Sequence, residues 1–145
     1  MIVEVYTDAS YNEKLDIASC GILVLVNKKI IKHEVVSLLG LGTVSNAEIW
    51  AVVHGLQYCF MVKDVSKIYA YTDHKTILTR RGKKLKYRDL DDTIEMIADW
   101  GIPLKLIHVY AHRNNFYNNK IDQSCRQELR KYVKQFRENK QVFSR

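Results

Sequence analysis

The order of apolar and polar positions divides the chain into short elements. Ile2 to Thr7 is β-branched and aromatic, and predicts a strand that stops at Asp8. After the polar stretch Tyr11 to Asp16, strands are expected at Ala18 to Val26 and Ile30 to Leu39, joined by a tight Asn27-Lys28-Lys29 turn into an antiparallel meander. Gly40, Gly42 and Thr43 then break the alternation. Ile49, Val52, Val53, Leu56 and Phe60 recur at offsets of 3, 4, 7 and 11, the period of one helix face, so a helix is expected from about Asn46 to Val62.

Lys67 to Thr72 reads as a further strand, Lys75 to Thr79 as a short helix, and Leu90 to Trp100 as a helix closed by Gly101. Leu104 to Ala111 is the last expected strand, and Asn114 to Asn119 a polar loop. Ile121, Cys125, Leu129, Tyr132 and Phe136 form the stripe of a long final helix. Strands alternating with helices in the second half require parallel strands ending at Asp8, Asp73 and His112. The expected fold is therefore α/β: a mixed five-stranded sheet, antiparallel meander plus parallel strands, flanked by helices. Open α/β sheets place their sites outside the carboxyl ends of parallel strands.

One proline in 145 residues, no linker and no repeat argue for a single domain over 1–145, with about 137–145 read as a flexible tail. Three scattered cysteines, Cys20, Cys59 and Cys125, suggest neither a disulfide framework nor a zinc ribbon. The longest aliphatic run, Ile22 to Val26, is too short to cross a bilayer, and Met1 leads straight into Ile2 and Val3 without a basic and apolar leader. A cytoplasmic monomer without membrane contact is the expectation.

Charge changes this picture. Lys and Arg number 23 against 16 Asp and Glu, a formal net charge of +7 that favours polyanionic partners. His74 to Arg88 carries seven basic residues and no acid, and Arg126 to Arg145 seven against two, so these segments hold +7 and +5 and the rest of the chain sums to −5. A protein needing only solubility would intersperse its signs.

The acids outside those segments fall where packing does not ask for them. Two strands end alike, in Tyr6-Thr7-Asp8 and Tyr71-Thr72-Asp73. As parallel neighbours they bring two carboxylates to one sheet edge, where one must hold its proton unless a cation is shared. Asp73 also suits a helix N-cap and Asp8 a turn. Glu48, with Ser45 three residues earlier, fits a capping box, yet it lies on the edge of the apolar stripe and so points at the sheet. Asp122 is expected in the first turn of the last helix, where the helix dipole alone favours an acid.

Those separate explanations leave the convergence of four acids on one sheet edge unexplained. Mg²⁺ binds through a few carboxylates and takes phosphate oxygens as further ligands. A pair of such ions activates water on one side of a phosphodiester and stabilises the leaving oxygen on the other. His112 ends the last strand at the same edge, as a candidate proton carrier. His33, His54 and His74 have no partner at metal-ligand spacing.

Together, Tyr6-Thr7-Asp8-Ala9-Ser10, Asn46-Ala47-Glu48-Ile49-Trp50-Ala51, Tyr71-Thr72-Asp73, and His112 with Asn118 and Asp122 resemble the type 1 ribonuclease H family, in order from Ile2 to about Phe136. The resemblance implies a ribonuclease H-like fold and an endoribonuclease. It would cleave the RNA strand of RNA–DNA hybrids with two Mg²⁺ ions, Mn²⁺ being an alternative, and leave 3′-hydroxyl and 5′-phosphate ends. Carried over by position, Asp8 would bridge both ions, Asp122 would complete the site of the nucleophilic water, and Glu48 and Asp73 would hold the second ion. His112 would assist proton transfer or product release, Asn118 would place its loop, and Glu48 would meet a 2′-hydroxyl.

Two departures stand out: Val44 where the family commonly has Asn, and His74-Lys75 where it often has Ser-Gln. Arg80, Arg81, Lys83, Lys84 and Lys86 are expected on the DNA-strand backbone, with Ser10, Ser45, Asn46, Lys75 and Asn118 as further substrate contacts. Arg126, Arg130, Lys131, Lys134 and Arg137 are expected to coat the exposed face of the last helix. The alternatives are a nuclease of the same fold acting on double-stranded RNA or branched DNA, and a binding module with an idle site.

Overall fold

A computed structural model of the chain describes residues 1–80, 84–110 and 115–143, the last four of these as backbone only. Strands β1 (Ile2–Asn12), β2 (Ile17–Val26) and β3 (Lys29–Leu39) form the meander. Asn27 and Lys28 both take positive φ, as a two-residue hairpin turn requires for its twist to match the strands. Helix α1 (Val44–Tyr58) follows, with a 3₁₀ turn at Cys59–Met61. Then come β4 (Lys67–Thr72), the short α2 (Lys75–Thr79), a 3₁₀ turn at Leu85–Tyr87, α3 (Arg88–Asp99), β5 (Leu104–His108) and α4 (Phe116–Phe143).

The sheet order is β3-β2-β1-β4-β5, antiparallel on the meander side and parallel from β1 through β4 to β5. Its two faces bury different clusters. Val3, Val5, Ile22, Val24 and Ile68 pack under Val52, Leu56, Leu90 and Ile97 of α1 and α3. Tyr6, Leu23 and Leu25 pack under Ile121 and Cys125 of α4. At about 25 cal/mol per Å² of apolar area removed from water, these two layers are the main favourable contribution to folding.

Five boundaries differ from the sequence reading. β1 does not stop at Asp8: its parallel pairing ends at Tyr6↔Tyr71, but pairing with β2 continues to Asn12↔Ile17. The cap of α1 is Thr43, whose hydroxyl accepts from the Asn46 amide at 3.0 Å, so Ser45 lies inside the helix and no capping box forms. β5 ends at His108. α4 begins at Phe116, which makes Phe116 to Asn119 helical and moves Asp122 past the first turn. It runs to Phe143, so 137–143 continue the helix where a tail was expected.

Candidate active site

Parallel register delivers the first two acids. Asp8 and Asp73 each lie two residues beyond the Tyr6↔Tyr71 pair, hence at one level along neighbouring strands. Asp73 is held by its surroundings, since its carbonyl accepts from His108 Nε2 at 3.3 Å and the next amide, of His74, donates to Thr72 Oγ1 at 3.1 Å. Glu48 enters from α1 on the second turn and is 5% exposed. Oxygens of Asp8, Glu48 and Asp73 lie within 4.8 Å of one another. Asp122 reaches the same cleft from α4, with its Oδ1 taking Arg126 Nε at 3.2 Å. Ala9, Ser10 and Asn118 complete a polar cleft of about 230 Å³.

Such crowding has an electrostatic cost. Burial first, then the Asp73 charge and the nearby Asp122, push the Asp8 carboxyl up to about 8. Burial and the charges of Asp8 and Asp73 raise Glu48 well above the carboxylate range. Burial, followed by Asp122, raises Asp73. Asp8 Oδ2 and Glu48 Oε2 are buried without a hydrogen-bond partner among the described residues, and so is Asn118 Oδ1. Buried hard oxygens lacking donors, in a cluster of like charge, fit a divalent cation.

The remaining sequence candidates divide. Ser10 and Asn118 line the cleft. Ser45 Oγ meets His74 Nε2 at 3.3 Å, so the departure at His74 ties α2 to α1. Asn46 donates to the Leu41 carbonyl at 2.7 Å and, with Trp50, His54 and Lys86, lines a separate groove of about 720 Å³ beside α1. Lys75 and Lys84 are exposed. Arg80 is not an open cation: it is engaged by Asp91 at 2.9 Å and by the Ile77 carbonyl. His112, Arg81 and Lys83 lie outside the described residues. Sequence reading missed Arg126, which lines the cleft; its position four residues after Asp122 was the available signal.

Fold and cleft thus define an α/β protein with a cation-seeking acidic centre at the carboxyl edge of a mixed sheet. A family model for RNase H matches residues 1–130, and the chain belongs to the RNase H family, making it a ribonuclease H-type endoribonuclease. Among solved structures, RNase H1 from the halophilic archaeon Halobacterium salinarum is similar with a TM-score of 0.71, covering 90% of this chain and 99% of that one. At 15% identity that likeness is one of fold. No curated protein matches the chain. Among the described residues, no helix is long and apolar enough to cross a membrane.

Proposed function

We propose that the protein hydrolyses the RNA strand of RNA–DNA hybrids at the acidic cleft, using two Mg²⁺ ions held by Asp8, Glu48, Asp73 and Asp122. The observation that carries this reading is the trio of buried Asp8, buried Glu48 and half-buried Asp73, with two carboxylate oxygens lacking a donor among the described residues. Divalent ions bound there would supply an activated water and charge stabilisation at the leaving 3′ oxygen.

The chain's own groups do the rest. Burial and mutual charge hold Asp8, Glu48 and Asp73 toward the protonated form, so cation binding there is coupled to release of protons. The Asn118 side chain, 2% exposed, offers an amide beside Asp122 for orienting substrate or carboxylate. Arg126 pairs with the Asp122 carboxylate and brings a positive charge to the rim where phosphate must approach. Family membership and the resemblance at Tyr6 to Ser10 support hybrid as the substrate. His112 is assigned proton transfer on that resemblance.

The test is cleavage of end-labelled hybrid, double-stranded RNA and branched DNA, each with Mg²⁺ and with chelator. Hybrid cleavage in Mg²⁺ alone, leaving 5′-phosphate and 3′-hydroxyl ends, is the expected result. Cleavage that survives chelator would overturn the metal assignment, and preference for another duplex would overturn the substrate.

A further inference from the structure

Beyond Arg126, α4 carries a line of cations that the reaction above leaves unused. Arg130 and Lys134 follow it down α4 at four-residue intervals, each step rising about 6 Å, and Arg137 returns to within about 20° of Arg126 around the axis. Arg130, Lys134 and Arg137, all exposed, wall a groove of about 360 Å³. Its floor is Leu129 and Val133, and Asn12 of β1 forms the far side.

This groove follows the acidic cleft along the same two elements, β1 and α4. Asp8, Ser10 and Asn12 alternate onto one face of β1. Ser10 and Arg126 belong to the cleft, and Asn12 and Arg130 belong to the groove. The Asn12 Oδ1 accepts from the Leu15 amide at 3.0 Å, which leaves its NH₂ as the group able to donate to a neighbour.

Charge sets this row apart from the other basic segment. Arg80 is engaged by Asp91, and Lys86 lies over the Tyr87 ring at 5.1 Å. Among the described residues, no ion pair engages Arg130, Lys134 or Arg137, and Glu138 is the one acid on the groove wall. Like charges at four-residue spacing weaken a helix, and a face serving only solvation would alternate its signs. Cationic walls suit phosphates and the apolar floor suits the carbon face of a sugar.

We infer that the groove between Asn12 and the Arg130, Lys134 and Arg137 row of α4 is a binding track for the sugar–phosphate backbone of the strand whose phosphodiester lies in the acidic cleft. The inference rests on the hydrolytic reading above. From Arg126 to Arg137 the track spans about 16 Å, or about five nucleotides at ~3.4 Å each. It makes affinity depend on how far the strand extends to one side of the cleaved bond.

The experiment compares the unmodified enzyme with the triple variant Arg130→Ala, Lys134→Ala, Arg137→Ala and with Arg137→Glu alone. Each is given Mg²⁺ and hybrids that extend on both sides of the cleavage site or are truncated beside it on the 5′ or the 3′ side. In parallel, anisotropy titrations in chelator measure hybrid binding against salt. The unmodified enzyme is expected to show a raised KM on truncation at one side only. The triple variant should show a raised KM on the extended hybrid, an unchanged kcat, no response to that truncation, and a salt slope smaller by about two to three. Equal KM values and equal salt slopes for variant and unmodified protein would overturn the track. Absence of any hybrid cleavage by unmodified protein would overturn the hydrolytic reading instead, while the titrations in chelator still decide the track.

Discussion

Asp8 on β1 lies directly opposite Gly21 on β2, and a Cβ on Gly21 would stand 2.6 Å from Cys125 Sγ and 2.7 Å from Ile121 Cδ1. Helix α4 therefore packs tightly against the sheet at the residue paired with the central carboxylate. Cys125 also donates to the Asp8 carbonyl at 3.6 Å. Seating of α4, and with it the position of Asp122, is coupled to the strand that carries Asp8.

Gly21→Ala is accordingly expected to lower stability by about 1 to 3 kcal/mol, the usual cost of overpacking a filled core. Ile121 and Cys125 are fully buried, so an added methyl must displace packed side chains. Because α4 must shift, Mg²⁺-dependent activity should fall by more than an exposed substitution such as Lys75→Ala produces. Thermal unfolding and a Mg²⁺ titration of activity check both parts; an unaltered melt and titration would contradict the close approach.

Asp8→Asn separates stability from function. It removes the carboxylate most crowded by Asp73 and Asp122 while preserving shape. In chelator the variant should melt above the unmodified protein, whereas cleavage should drop by at least on the order of a hundredfold, as when a metal site loses a needed partner. A variant that both melts lower and cleaves normally would contradict the shared cation site.

The acids also set a pH dependence. In the folded protein the Asp8 carboxyl titrates near 8 against an ordinary 3.8, so below about pH 4 it is protonated in folded and unfolded chains alike. As pH rises from there, the unfolded chain releases its proton while the folded one holds it. Stability in chelator should therefore fall between about pH 4 and pH 8, with Glu48 and Asp73 acting in the same direction. Saturating Mg²⁺ should flatten the fall. Melting temperatures across that range, with and without Mg²⁺, measure it, and a chelated protein that gains stability over the window would refute the assignment.

Arg80→Ala is predicted to act on the fold and not on binding. Its guanidinium joins Asp91 and the end of α2, and its side chain is 17% exposed. Loss of about 1 to 2 kcal/mol in denaturant unfolding is expected, the scale of a hydrogen bond to a charged group. The salt slope of hybrid binding should stay as it was; a flatter slope would return Arg80 to the phosphate contacts.

Local pattern determined much of this protein. Alternation and helical period located five strands and four helices, β4 and α2 to the residue, because each must turn an apolar face to one core. The repeated Tyr-Thr-Asp endings and the inward placement of Glu48 marked the acidic centre, since register between parallel strands is set by the same apolar alternation that the sequence displays. Only tertiary structure decided the rest. Pairing with β2 carries β1 past Asp8 to Asn12, and the helix claims Phe116 to Asn119 from an apparent loop. The surroundings of the cations were only partly visible: Arg80 meets Asp91 eleven residues away, while Arg126, placed by sequence on a solvated face, borders the cleft beside Asp122, as its four-residue spacing alone hinted. Whether a charge such as Arg80 is engaged or available depends on what long-range packing puts beside it, and that part leaves no trace in the period of the chain.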